Sequence, residues 1–220
     1  MTSVSSGLSS AYGNLIARNE IRELNRLVNR FEAWNNALAT AVATVCAILI
    51  LPFAAVYTNG ISDAEYHQPL FALLMIAGSY VYCIRHPFES IVSAAGHYRQ
   101  TKAGAFGEVV INLGISLLLV KPMGLAGVAL GTFAAMSYRT FYIIWYLSKN
   151  ILHRPVGIFF LKLTCNLLLG AVLISCVPGF INTAAFDLFS LFLCAVKISL
   201  VVFPASLAIN GLLYLVNQRS

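Results

Sequence analysis

Apolar residues fill this chain in long blocks, parted by short polar stretches. About 20 helical residues cross a ~30 Å hydrocarbon core, and six blocks are long enough. They run about Ala37–Tyr57, Pro69–Ala95, Ala103–Val120, Leu125–Leu147, Val156–Val177 and Leu188–Val216. Pro52 lies near the end of the first, and the last is long enough to tilt or to break near Pro204. Ahead of these blocks the pattern changes. In Asn14–Asn36, Leu24, Leu27, Val28, Phe31 and Trp34 recur at threes and fours on one helical face. Arg18, Arg22, Arg26 and Arg30 form a second stripe at fours, partly offset by Glu20 and Glu23. A helix with a basic face and a Trp-bearing apolar face suits a headgroup layer. A solvated cytoplasmic linker helix fits the pattern equally well. Met1–Ile16 is too short and polar to span alone, and reads as the last turns of a helix or as a tail. Met1–Gly13 lacks the basic region and apolar core of a signal peptide.

The prediction is therefore an all-α polytopic membrane bundle of about six transmembrane helices plus an N-terminal amphipathic helix. Three parts follow: residues 1–36, a four-helix core over 37–150, and two C-terminal helices over 151–220. Composition agrees, with 59% hydrophobic and 10% charged residues in 220 and a mean hydropathy of +0.81. A soluble domain carries about a quarter charged residues. The net charge of +6 is not a nucleic-acid footprint, because the basic residues gather in particular loops. Arg18 to Arg30, Arg85, Arg99, Lys102, Lys149, Arg154 and Arg219 flank one set of span ends. The opposite loops, TNGISDAEYHQ, KPMG and PGFINTAAFD, hold only Lys121. The positive-inside rule then places the amphipathic helix and the C-terminus in the cytoplasm.

Cys46, Cys83, Cys165, Cys176 and Cys194 have no CxxC or His-paired spacing. They read as small buried residues in apolar runs, with no disulfide or metal role. Gly127 and Gly131, four apart, are a small-xxx-small packing device.

Charges inside apolar runs are expensive and mark bundle interiors or wet cavities. Arg85 and Glu89 lie one turn apart in the second block, Glu108 in the third and Arg139 in the fourth. At ~1.5 Å per residue all four fall in the cytoplasmic third of the bilayer. Two readings stay open. They pair with one another or snorkel to the inner headgroups. Or they line a wet cavity, as a cytoplasmic gate or as a site for an anionic headgroup, which suits the planar fork of Arg. Pro87 removes a backbone bond beside Arg85, so a kink, and with it a possible hinge, is expected there. His86 and His97 lie near the inner interface with no special role required. Asn112 is expected to bond to Glu108 or to a neighbouring helix. Lys162 is placed to snorkel, whereas Lys197, about 15 Å inside the sixth block, has no evident partner. No HExxH, GxSxG, Walker loop or Asp-rich motif appears, so no enzyme and no cofactor are expected. Work would come from an ion gradient, the membrane potential or a substrate gradient.

Two stretches carry a resemblance. The first is SSGLSSAYGNLIARNE, residues 5–20. The second runs AAGHYRQTKAGAFGEVVINLGISLLLVKPMGLAGVALGTF and on through SKNIL. Its marks are Gly96, Arg99 and Thr101-Lys102; then Glu108 with Ile111-Asn112; then Lys121, Gly124, Gly127 and Gly131-Thr132. The chain resembles the C-terminal half of bacterial polysaccharide transporters, the O-antigen and capsule flippases of the multidrug/oligosaccharidyl-lipid/polysaccharide superfamily. The resemblance implies two six-helix lobes that carry undecaprenyl-diphosphate-linked oligosaccharide across the inner membrane by alternating access. It implies Arg85 and Arg139 as cavity cations, membrane lipids and a lipid-linked oligosaccharide as partners, and a further N-terminal lobe or partner half. A cation-coupled drug exporter of the same fold, or a scaffold packing on a glycan-assembly partner, are the alternatives.

Overall fold

The computed structural model describes residues 2–59, 66–176 and 188–219, with side chains over 7–59, 66–176 and 188–216. Seven α-helices are present among them: α1 Thr2–Ala17, α2 Ile21–Tyr57, α3 Pro69–Ala94, α4 Tyr98–Met123, α5 Leu125–Leu147, α6 Gly157–Cys176 and α7 Leu188–Arg219. A π-helical segment, Ser148–Leu152, extends α5. The described residues contain no strand. The expected loop over PGFINTAAFD lies outside the described residues.

Five helices, α2, α3, α4, α6 and α7, are long and apolar enough to cross a membrane. The fourth expected span, α5, has the expected bounds and 23 residues, ample length. It falls outside those five, with Arg139, Tyr138, Tyr142 and Thr and Gly residues interrupting its apolar run. Large side chains face outward along these helices, among them Phe106, Leu113, Leu117 and Leu118 on α4 and Leu200 on α7. Water would make such a surface costly and hydrocarbon would not. Length, composition and this outward apolar surface mark a multi-pass membrane protein.

The N-terminal expectation is corrected. The chain turns at Arg18–Glu20, where Asn19 adopts a left-handed φ of 57°, and α2 then runs unbroken past residue 36. Residues 21–36 thus form the first turns of the helix that carries the first span, not a helix of their own. Leu24 and Val28 are fully buried in one cluster with Tyr12, Ile91, Ile151 and Leu152, so protein covers the start of that face, while Trp34 at its end is exposed. Nor does α7 break at Pro204.

Helices pack as a row rather than in chain order. α5 lies between α4 and α3, α2 lies on the far side of α3, and α7 and α6 lie beyond α2. Consecutive α3 and α4 barely touch each other; each packs on α5. The α4–α5 corner turns on one residue, Gly124 at φ +57°, a conformation L side chains rarely adopt. Close α4–α5 approach follows from Gly127 and Gly131 as expected. The Leu119 carbonyl and the Ser116 hydroxyl occupy the places their Cβ atoms would take.

Candidate functional site

The four expected charges converge on the gap between α3 and α4. Arg85 Nη1 donates to Glu108 Oε1 at 3.0 Å, joining two helices that otherwise scarcely meet. Arg85 Nε lies 3.0 Å from Glu89 Oε1, close enough to pair, but its N–H is not aimed at that oxygen. Arg139 Nε lies 3.8 Å from Glu108 Oε2, and its Nη1 donates to the Thr101 carbonyl at 2.7 Å. The Arg85 guanidinium also stands 5.2 Å from the ring centroid of Tyr82. Two cations and two anions leave the cluster neutral. The side chains of Arg85 and Arg139 are 6% and 11% exposed, those of Glu89 and Glu108 34% and 24%. The arginines are thus held inside, and the cluster is reachable from the side of its acids.

Local sequence explains this convergence. Gly104 and Gly107 leave α4 bare where α5 presents its bulk. Tyr142 and the Arg139 guanidinium occupy the space of a Gly104 Cβ, and Tyr138 that of a Gly107 Cβ. A side chain at Gly104 would displace the Arg139 guanidinium, and one at Gly107 would displace the Tyr138 ring. Asn112 does not reach Glu108; it accepts from Ser116 Oγ, one turn on, at 3.1 Å.

Pro87 sits buried within the continuous helix α3. Its missing N–H frees the Cys83 carbonyl, four residues back. Asn35 Nδ2 of α2 donates to that carbonyl at 2.9 Å. The proline therefore builds a cross-helix bond, a use the sequence pattern did not reveal. His86 is exposed, and His97 Nδ1 lies 2.9 Å from the Tyr146 hydroxyl.

A second charged cluster escaped the sequence reading. Glu32 of α2 is fully buried; its Oε2 accepts from Lys162 Nζ of α6 at 2.8 Å and from Arg154 Nη2 at 3.3 Å. Asn29 Oδ1 accepts from Arg154 at 2.8 Å and from Lys162 at 3.3 Å. Lys162, expected to snorkel, is instead 4% exposed and committed to Glu32. One turn further on, Asn166 and Asn210 of α7 exchange amide bonds at 3.1 and 2.8 Å, and Thr40 donates to Asn166 at 2.9 Å. The signal was present as periodicity. Asn25, Asn29, Glu32, Asn36, Thr40 and Thr44 follow one another at fours and threes along α2, and Lys162, Asn166 and Gly170 at fours along α6. Polar residues at these spacings share a face.

One further expectation changes. The cysteines are free but not buried: Cys46, Cys83 and Cys176 are exposed and Cys165 and Cys194 half-buried. In a bilayer the outer surface is apolar too, so a small apolar residue need not turn inward. Lys197 is exposed and has no partner among the described residues.

Comparison of the chain with protein-family models, curated proteins and solved structures gives no match. Fold and clusters define a class: a multi-pass helical membrane protein with two buried charge networks, one bridging α3 to α4 and one tying α6 to α2.

Proposed function

We propose that the chain works as one lobe of a membrane transporter, moving an undecaprenyl-diphosphate-linked oligosaccharide across the bacterial inner membrane for surface polysaccharide synthesis. The amphipathic N-terminal turns of α2 and the C-terminus lie in the cytoplasm in this reading, and α5 counts as a sixth span. The observation that carries it is the bridge of Arg85 to Glu108 across the α3–α4 gap. Arg85 and Arg139 are cations held in place by acids that remain reachable. A diphosphate offers the same bidentate oxygens as a carboxylate with more charge, so it can take the guanidinium fork from Glu108. Exchange of that partner would release α4 from α3, giving a substrate-dependent latch. The resemblance in residues 94–152 supports the same assignment.

A cation-coupled exporter is the second reading, favoured by the greater exposure of Glu89 and Glu108. The full protein in its native host separates the two. Arg85→Gln is expected to abolish surface polysaccharide at unchanged membrane abundance. Equal loss of abundance would make Arg85 structural. Drug sensitivity in Glu108→Gln with intact glycan would favour the exporter.

A further inference from the structure

A row of exposed residues at fours runs up α2: Arg22, Arg26, Arg30, Trp34, Leu38 and Val42. Such a row is a single ridge on the helix surface. It passes from guanidinium to indole to aliphatic within a few turns. That is the order of headgroup, interface and hydrocarbon met by a helix entering a bilayer. A bilayer that follows this order has its surface near Trp34.

Beside this level lies a cleft of about 190 Å³ between α2 and α7, lined by Arg30, Ala33, Trp34, Leu207, Asn210, Gly211 and Tyr214. Arg26 is paired with Glu23 at 2.8 Å, whereas Arg30 has no partner among the described residues. Asn210 is spent on Asn166 and closes the cleft floor. A Cβ placed on Gly211 would meet nothing within 4 Å, so the space above it is open. The cleft joins an unpaired cation at its mouth, two aromatic residues at interface depth, and an apolar wall that continues into the exposed ridge of Leu38 and Val42.

We propose that this cleft binds one anionic glycerophospholipid of the adjoining leaflet. Arg30 takes the phosphate, Trp34 and Tyr214 flank the glycerol, and one acyl chain lies over Gly211 and Leu207. The site is separate from the α3–α4 cluster and does not depend on the transport reading.

Native mass spectrometry of the purified chain, with phosphatidylglycerol or phosphatidylcholine added, tests the assignment. One phosphatidylglycerol should stay bound to the native protein, and phosphatidylcholine should bind more weakly. Arg30→Gln should weaken phosphatidylglycerol by about fivefold or more, the scale for loss of one basic residue at an anionic surface. Gly211→Leu should displace the lipid by filling its space, while thermal stability in detergent holds because a Cβ there meets no protein atom within 4 Å. Arg22→Gln, on the same ridge but outside the cleft, should leave the single tight site intact. Equal retention of both lipids, unchanged binding in Arg30→Gln and Gly211→Leu, or a lipid-free dimer filling the cleft would each overturn the proposal.

Discussion

Glu32→Gln is the sharpest probe of how this bundle is held together. Glu32 is fully buried, and its Oε2 answers both Lys162 at 2.8 Å and Arg154 at 3.3 Å. Glutamine keeps the shape but removes the charge, leaving two buried cations with no counter-ion. Breaking a buried pair by deleting one partner costs about 3–5 kcal/mol, mostly from the stranded charge. For a chain of this size one kcal/mol moves a melting midpoint by about 2–4 °C, so a fall on the order of 10 °C is expected. The assay is thermal unfolding in detergent, followed by size-exclusion fluorescence. Two companions sharpen it. Glu32→Gln with Lys162→Gln strands one cation instead of two and should recover part of the loss. Glu23→Gln breaks an exposed pair with Arg26 and should change nothing measurable. A Glu32→Gln midpoint within about 2 °C of the parent would refute the reasoning. So would a double variant less stable than Glu32→Gln alone. Either result would mean that water reaches the cluster and screens it.

Two other substitutions test the helix contacts. Asn35→Ala should cost about 1 kcal/mol by leaving the Cys83 carbonyl without a donor. The same change in a Pro87→Ala background should cost nothing, because an alanine at that position restores the intrahelical N–H; equal losses in both backgrounds would show the bond is idle. Gly104→Val should destabilise by about 1–3 kcal/mol through overpacking against Tyr142 and Arg139. It should also weaken any function that needs the Arg139–Glu108 contact, so a stable, fully active Gly104→Val protein would contradict the α4–α5 packing.

Much of the architecture was legible in the chain. Long apolar blocks give membrane helices because hydrocarbon satisfies no backbone group and each segment must satisfy its own. That local rule sets bounds well: α5 begins and ends at Leu125 and Leu147 as read. Arg85, Glu89, Glu108 and Arg139 were legible as a set because charge in an apolar run needs a partner at similar depth. Tertiary structure decided what periodicity leaves open. Leu24 and Val28 suit lipid or protein equally; the cluster with Tyr12 and Leu152 decided for protein. Lys162 suits the headgroups or a buried acid; only the packing of α6 on α2 brought Glu32 to it. Helix order is likewise non-local: α5 packs on both α3 and α4, and its close approach to α4 rests on glycines whose missing side chains matter only when another helix arrives. A sequence specifies which surfaces are apolar, polar or bare, and the competition among their possible partners is settled in three dimensions.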